Sequence, residues 1–199
     1  MKQKSYDILK YESNNIIQKI ILNNYINEIS LVIKKYNLKR IFDCGSGEGH
    51  MIIKIISQMP KVTFYSGDYS FEKVFTFKNK KIDSILHFVC DIYNNPIRHD
   101  IEFDAVLNLS VLEHLHNPDK AIDSLISINA RYFIISVPNE PFFRITNLLR
   151  GKYLKNFGNH PEHIHLWSVR KFSEILEKFF EIKEKFYPFP WQVYVCKKK

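Results

Sequence analysis

Apolar residues recur every three or four positions over residues 11–37, which is the spacing of one face of an α-helix. This face comprises Ile16, Ile17, Ile20, Ile21, Tyr25, Ile29, Val32 and Ile33. We expect the helix to form an N-terminal cap, within residues 1–37, that lies against a sheet or over its edge.

Short apolar runs and longer amphipathic stretches then alternate along the chain. The apolar runs predict strands at residues 39–44, 62–67, 85–90, 103–109 and 132–137. The amphipathic stretches predict helices at residues 48–59, 70–80 and 118–130. Ser70 is placed to cap the second of these helices. This alternation is typical of an α/β fold, a doubly wound and mostly parallel sheet with helices on both faces.

The last part of the chain departs from this alternation. It contains a long connection, a helix and two strands, at residues 139–167, 168–180, 181–187 and 191–196. Only Pro188-Phe189-Pro190 separates the two strands, so they must pair antiparallel. The sequence therefore predicts a single domain, residues 1–199, whose seven-stranded sheet has an antiparallel C-terminal strand.

A glycine-rich turn follows the first predicted strand, in the stretch Asp43-Cys44-Gly45-Ser46-Gly47-Glu48-Gly49. Glycines at alternate positions let a ligand approach the main chain. Open α/β sheets bind nucleotides at such a turn. The spacing differs from the Gly-x-Gly-x-x-Gly pattern of dinucleotide sites, and a carboxylate at Asp43 would repel a pyrophosphate. The turn therefore favours a cationic or hydroxyl-bearing ligand.

Aspartates follow three successive predicted strands, at Asp43, Asp68 and Asp91. Because parallel strands end at one edge of the sheet, we expect the three carboxylates to line one crevice. An acidic residue after the second strand can bind both hydroxyls of a ribose. The alternative for each aspartate is that it caps the following helix or turn.

The composition is that of a soluble globular protein, with 45% hydrophobic and 25% charged residues among 199. A net charge of +8 suits an anionic partner such as nucleic acid, although lysine is used along the whole chain and a coding bias explains much of the charge. Cys44, Cys90 and Cys196 have unrelated spacings, which predicts buried thiols in a reducing cytoplasm. No apolar run reaches membrane-spanning length, and residues 1–10 lack a signal-peptide core.

In combination, these features resemble the class I S-adenosylmethionine-dependent methyltransferases from Arg40 to the end of the chain. The first motif of that family is similar to Ile41 through Gly49, and its fourth-strand motif is similar to Phe103-Asp104-Ala105-Val106 through Leu112-Glu113-His114-Leu115. The resemblance implies a Rossmann-like methyltransferase fold and S-adenosyl-L-methionine as the cofactor. A sulfonium and an ammonium, without phosphate, suit the carboxylate at the turn.

The resemblance also implies which residues bind the cofactor. It assigns the methionine part to Asp43, Gly45, Ser46 and Gly47, the ribose and adenine to Asp68 and Tyr69, the adenine also to Asp91 and Ile92, and a wall position to Leu109.

The methyl acceptor should enter over the ends of the fourth and fifth strands, beside Glu113, His114 and His163. Either histidine has an ordinary pKa suited to a general base, and a hydrogen-bonding wall role stays open for both. Some family members bind a metal through a Glu-x-x-Glu-His run on this loop. Ser110 stands where the first glutamate would be, so the sequence predicts no metal site.

Residues 139–167 are long, aromatic and basic, which favours a lid over the site, with a solvated loop as the alternative. Residues 160–168 resemble a stretch common in methyltransferases that act on small molecules, lipids or glycans, where it introduces the last helix with Ser168 as its cap. Residues 10–15 resemble an N-terminal run that closes over the cofactor in some members. We therefore expect methyl transfer to an O or N atom of a small-molecule, sugar- or lipid-linked acceptor, including an anionic one. The alternatives are an RNA methyltransferase and a non-catalytic module that binds S-adenosylmethionine; a dinucleotide oxidoreductase ranks below them.

Overall fold

Seven strands form one sheet in a computed structural model of the chain, which describes residues 15–80, 82 and 85–199. The strands, β1 to β7, are Arg40–Cys44, Thr63–Asp68, Ile85–Val89, Phe103–Leu109, Ala130–Pro138, Phe180–Phe186 and Trp191–Lys198. The α-helices of these residues, α1 to α6, are Ile16–Lys35, His50–Gln58, Phe71–Lys78, Pro118–Ile126, Phe142–Leu149 and Val169–Phe179. The start of the cap that the sequence predicts, residues 1–14, lies outside the described residues.

The strand order is β3-β2-β1-β4-β5-β7-β6, with β1 to β5 parallel. Strand β7 runs antiparallel to both of its neighbours, β5 and β6. This confirms the predicted fold class, a doubly wound and mostly parallel sheet with an antiparallel C-terminal strand. The carboxyl ends of β1, β2, β4 and β5 consequently meet at one edge, where the predicted ligand turn lies.

Most predicted elements are found with small shifts at their ends, and Ser70 and Ser168 cap α3 and α6 as N-caps. The predicted helix at residues 118–130 is wrong at its C-terminal end, because α4 stops at Ile126 and Ala130 begins β5. Ala130 pairs with Phe103, and the Asn129 carbonyl accepts a hydrogen bond from the Phe103 amide. Pairing with the sheet therefore outweighs the helix propensity of alanine.

Alternate residues of the strands supply two separate cores. Ile41 and Ala105 face a core that includes Ile29 of α1 and Ile55 of α2. Neighbouring strand residues face the opposite core, which is built with α4 and α6; they include Phe42, Val106 and Phe133. Side chains alternate between the two faces of a strand, so helices cover both faces as the sequence predicts.

The first turns of α1 are not packed into this core. Tyr25 and Ile29 are fully buried, whereas Ile16, Ile17 and Ile20 are 71%, 63% and 62% exposed. The C-terminal half of the apolar face of α1 is thus buried against the sheet, whereas the N-terminal part of this face extends beyond the sheet.

The three cysteines are free and buried, as predicted. Cys44 and Cys196 lie in β1 and β7, and Cys90 directly follows β3. Within the described part of the chain, no helix has both the length and the apolar composition that crossing a membrane requires.

Candidate functional site

A cavity of about 580 Å³ opens at the carboxyl ends of β1, β2, β4 and β5. Ten of the site residues that the sequence predicts line it: Asp43, Gly45, Ser46, Gly47, Asp68, Tyr69, Leu109, Glu113, His114 and His163. The volume is in the range of small-molecule and cofactor sites. The cavity has two parts, one formed by the glycine turn with Asp68 and the other by the residues that follow β4.

The glycine turn holds its shape through positive φ angles and backbone hydrogen bonds. Gly45 has φ +90°, and a Cβ there would lie 2.4 Å from Val111 Cγ2. The amides of Gly45 and Ser46 both donate to the Gly67 carbonyl, at 2.8 and 3.0 Å. Glycine is therefore needed at position 45 both for its backbone angle and for the contact with Val111.

Asp43 places a carboxylate in the first part of the cavity. Its side chain is only 5% exposed, and among the described residues no donor forms a hydrogen bond with it. Burial, and secondarily the charge of Asp68, raise the pKa of Asp43 to about 7. Both effects penalise the anion, so a cation in the cavity would relieve them. The ammonium and sulfonium of S-adenosylmethionine fit this environment.

Asp68 both supports the turn and faces the cavity. One carboxylate oxygen accepts the Gly47 amide at 2.8 Å, and the other accepts the Ser70 amide at 2.9 Å. A carboxylate oxygen has more than one lone pair, so each can accept a further bond from a ligand hydroxyl. Asp68 thus orients the main chain of the turn relative to the second strand.

Asp91 and Ile92 are not among the residues that line this cavity. The Asp91 carboxylate accepts the Tyr93 amide at 2.9 Å and so caps a single 3₁₀ turn, Ile92–Asn94. Ile92 is 8% exposed and packs in the core beside Cys90. Of the three carboxylates expected in one crevice, Asp43 and Asp68 therefore line this cavity, and Asp91 lies outside its lining. The roles of Asp91 and Ile92 at the adenine stay predictions.

The second part of the cavity brings together Glu113, His114 and His163. Each offers a potential ligand atom, and these atoms all lie within 4.8 Å of one another. Glu113 and His163 are 1% and 8% exposed, and the rings of His114 and His163 are 4.9 Å apart. The set can exchange a proton with a bound acceptor. It also has the residue types of a metal site with three protein ligands, although the sequence predicts none.

Backbone hydrogen bonds explain how these distant residues meet. The Glu113 carbonyl, in the 3₁₀ turn Leu112–His114, accepts the amides of Ile164 and His165 at 2.9 and 3.1 Å. His114 Nδ1 lies 2.9 Å from the Glu162 carbonyl oxygen. The end of the lid segment, residues 139–167, is thereby docked onto the turn after β4.

Both ends of the lid segment are also fixed to β7. Gln192 is fully buried, and its side-chain amide donates to the carbonyls of Pro138 and Trp167 at 3.1 and 2.9 Å. Between these ends, α5 brings Phe143 to the cavity wall, 5.2 Å from the His163 ring. The segment is thus anchored at both ends and contributes part of the cavity wall.

Several residues of the site were not predicted from the sequence. Ser110 lines the cavity with φ +58°, a left-handed conformation that is uncommon outside glycine. Trp191 lines it too and stacks on Tyr25 of α1 at 4.5 Å. Tyr25 in turn is hydrogen-bonded to Ser136 of β5. For these residues, the sequence offered one usable signal, the position of Trp191 directly after Pro190. Which strands pair with each other across the sheet is not visible in the sequence.

Comparison with known proteins places this geometry in a family. Residues 21–179 match the sequence model of a family described as a methyltransferase domain. A search of curated proteins finds no significant match.

Solved structures share the fold at low sequence identity. Magnesium protoporphyrin IX methyltransferase from Synechocystis PCC 6803, with bound SAH, is 16% identical with a TM-score of 0.68, covering 93% of this chain and 88% of that chain. The plantazolicin methyltransferase BpumL, with SAH, is 16% identical with a TM-score of 0.69, covering 96% and 93%. A SAM-dependent methyltransferase from Aquifex aeolicus is 15% identical with a TM-score of 0.66, covering 84% and 88%.

The chain belongs to the methyltransferase domain family. It is a class I S-adenosylmethionine-dependent methyltransferase, and S-adenosyl-L-methionine is its cofactor.

Proposed function

We propose that this methyltransferase transfers the methyl group to an O or N atom of a small-molecule, sugar- or lipid-linked acceptor. The observation that carries the proposal is the second part of the cavity, where Glu113, His114 and His163 lie opposite the acidic part formed by Asp43 and Asp68. A cavity of about 580 Å³ whose wall includes residues of the anchored lid segment suits an acceptor group that is largely buried when bound.

The bound cofactor supplies a methyl group that is already activated, so the protein mainly has to align the acceptor and exclude water. Pro138, Phe143 and Trp191 provide apolar walls for this. We assign the cofactor to Asp43, Gly45, Ser46, Gly47, Asp68, Tyr69 and Leu109, which share the cavity.

His114 is the preferred candidate for the general base. A carbonyl oxygen can only accept a hydrogen bond, so the contact with the Glu162 carbonyl requires a proton on His114 Nδ1. The neutral ring then carries its lone pair on Nε2, which can accept a proton from the acceptor. His163, with its ring against that of His114, is positioned to orient it.

Radiolabelled methyl transfer into a fractionated extract of the source cell tests the proposal. We expect label in the small-molecule or lipid fraction, and we expect His114→Asn to abolish it while S-adenosylmethionine binding is kept. His99→Asn is the matched control, since His99 is an exposed histidine that contacts the Ser127 carbonyl. Label in protein alone would refute the assigned acceptor class.

We propose a reducing cytoplasm as the location of the protein, because its three cysteines are free thiols.

An RNA acceptor is the second candidate, and the charge of the lid segment favours it. Residues 141–161 contain Arg144, Arg150, Lys152 and Lys155 but no Asp or Glu. An RNA methyltransferase should bind RNA with an affinity that falls steeply with salt. Label in the RNA fraction, together with such a salt dependence, would replace the first candidate by this one.

A further inference from the structure

A second cavity, of about 340 Å³, lies between the start of α1, helix α5 and the turn between β6 and β7. Its walls are mostly apolar, with Ile17, Ile21 and Leu22 from α1, Leu149 from α5, and Phe189 from the turn. The volume is at the lower end of the range of small-molecule sites. None of the candidate catalytic or cofactor residues lines it.

The second cavity adjoins the first, and the two share part of their walls. Phe143 and Trp191 line both cavities, and their rings meet edge to face at 6.4 Å. Trp191 is held from behind by Tyr25, which stacks on it. An acceptor that lies beside His163 and extends past these two rings would place its remote part in the second cavity.

The wall of the second cavity carries one charged residue among the described residues that line it, Arg150. The Arg150 guanidinium donates to the Gln18 side chain, and neither Arg150 nor Lys152 has a carboxylate partner within the described part of the chain. Burial, and then the charge of Arg150, lower the pKa of Lys152. Two neighbouring cations that have no acidic partner among the described residues favour an anionic ligand group.

Apolar side chains continue this surface outside the cavity. Ile17, Leu149 and Phe189 are 63%, 84% and 49% exposed. Exposed large apolar side chains that cluster beside cations are typical of a binding surface. The apolar walls and the cations describe a ligand with an apolar body and an anionic group.

We propose that the second cavity binds the remote part of the methyl acceptor, and that the acceptor is an organic anion. Its aromatic ring or short aliphatic chain lies between α1 and α5, and its carboxylate or phosphate pairs with Arg150. This inference rests on the proposed function, because it assumes that the acceptor atom lies beside His114 in the first cavity.

Calorimetry with two probes of similar shape tests the site directly. The probes are 2-naphthoate and the neutral 2-naphthalenemethanol, each titrated into protein saturated with S-adenosylhomocysteine so that the cofactor is already in place. We expect naphthoate to bind about tenfold more tightly, since a hydrogen bond to a charged group is worth about that factor. Equal affinities, or displacement of the cofactor by the probe, would overturn the proposal.

Arg150→Met removes the charge and keeps most of the side-chain length. We expect it to weaken naphthoate binding about tenfold and to change the binding of the neutral probe less than about twofold. Arg170→Met is the matched control, because the Arg170 side chain is 90% exposed on α6 and pairs with Glu174. A loss of naphthoate affinity in both variants would indicate a general charge effect and reject the site.

Thr146→Trp tests the cavity rather than the charge. Thr146 lines the second cavity from α5, so an indole there should block both probes and leave S-adenosylmethionine affinity unchanged. If Thr146→Trp lowers the Tm so far that the protein unfolds, the Arg150→Met result still tests the site.

Binding to anionic vesicles without binding of monomeric naphthoate would overturn the proposal in favour of a membrane surface. Self-association that blocks the probe would overturn it in favour of a contact between copies.

The second binding site and the proposed function can each be refuted without refuting the other. Probe binding that depends on Arg150, without label transfer to any extract fraction, would leave the second cavity intact and remove the proposed function. Label transfer to an uncharged acceptor, without probe binding, would leave the proposed function intact and remove the second cavity as a binding site.

Discussion

The two parts of the main cavity are built in different ways. The proposed cofactor part comes from the end of β1, the turn that follows it and the end of β2, which together span residues 43–69. The proposed acceptor part joins the turn after β4 to the end of the lid segment, about 50 positions later in the chain, through hydrogen bonds from Ile164 and His165 to Glu113. A local motif therefore builds the proposed cofactor part, whereas long-range docking builds the proposed acceptor part.

This comparison predicts two separable kinds of variant. Changes in the cofactor part should alter cofactor affinity, and changes in the acceptor part should alter the rate of methyl transfer at unchanged cofactor affinity. A variant that does both would show that the two parts are coupled.

The largest expected effect is that of His114→Asn on the rate. Loss of a general base typically lowers a rate by about 10² to 10⁴. We expect a decrease in that range in single-turnover methyl transfer, with the Kd for S-adenosylmethionine unchanged. An equal decrease with His163→Asn would show that the two rings act together. A loss of cofactor affinity would break the separation between the two parts.

Asp43→Asn should reduce S-adenosylmethionine affinity by about a hundredfold or more, because a buried ion pair that loses one partner costs several kcal/mol. Isothermal titration measures this, and Asp100→Asn, at an exposed ion pair, is the control. Retained affinity would count against the assigned pocket.

The same variant should stabilise the empty protein at pH 8. The folded-state pKa of Asp43, about 7, lies above the ordinary value of 3.8. The folded state therefore loses stability as the pH rises from about 4 to 7, and an uncharged asparagine avoids this loss. Thermal unfolding without cofactor should give a higher Tm for the variant at pH 8 and a smaller difference at pH 4.

Gly45→Ala should weaken cofactor binding about tenfold, because the added methyl group meets Val111 at 2.4 Å and φ is +90°. Gly151→Ala is a control for the cost in stability of a positive φ angle alone, since Gly151 has φ +66° with nothing within 4 Å of a Cβ. We expect it to lower stability by about 1 kcal/mol without any effect on binding. Val111→Ala should partly rescue Gly45→Ala; the absence of rescue would exclude the contact as the cause.

Near neutral pH, the smallest expected effect is a pH dependence of cofactor affinity. Below pH 7 the Asp43 carboxyl of the empty cavity binds a proton, which must leave when a cation binds. The affinity for S-adenosylmethionine should therefore fall by up to about tenfold per pH unit below 7 and level off above it. Adenosine, which lacks the cationic part, should show no such dependence. The same profile for both ligands would refute the role of Asp43.

The elements that the sequence predicts correctly are those with a local cause. Ser70 and Ser168 cap helices because a serine side chain can accept the amide three residues later. The alternation of apolar runs and amphipathic stretches gives the parallel sheet. The predicted helix at residues 118–130 fails at Ala130 because its partner strand, β4, lies elsewhere in the sequence.

The same division applies to the site. The spacing of Asp43, the three glycines and Asp68 is enough to predict a ligand turn, because these residues lie at the ends of neighbouring strands. Asp91 looks equivalent in the sequence, and only the structure shows that its carboxylate caps the turn after β3 and lies outside the lining of the main cavity.

The residue pattern alone predicts the succession of strands and helices, a ligand turn after β1 and histidines in two distant segments. The folded chain is needed to show that His114 and His163 meet, that Tyr25 supports Trp191, and that a second cavity lies beside Arg150. The difference comes from the range over which the interactions act. Propensity, capping and backbone angles act between near neighbours in the chain, whereas cavities arise where packed elements leave space between them.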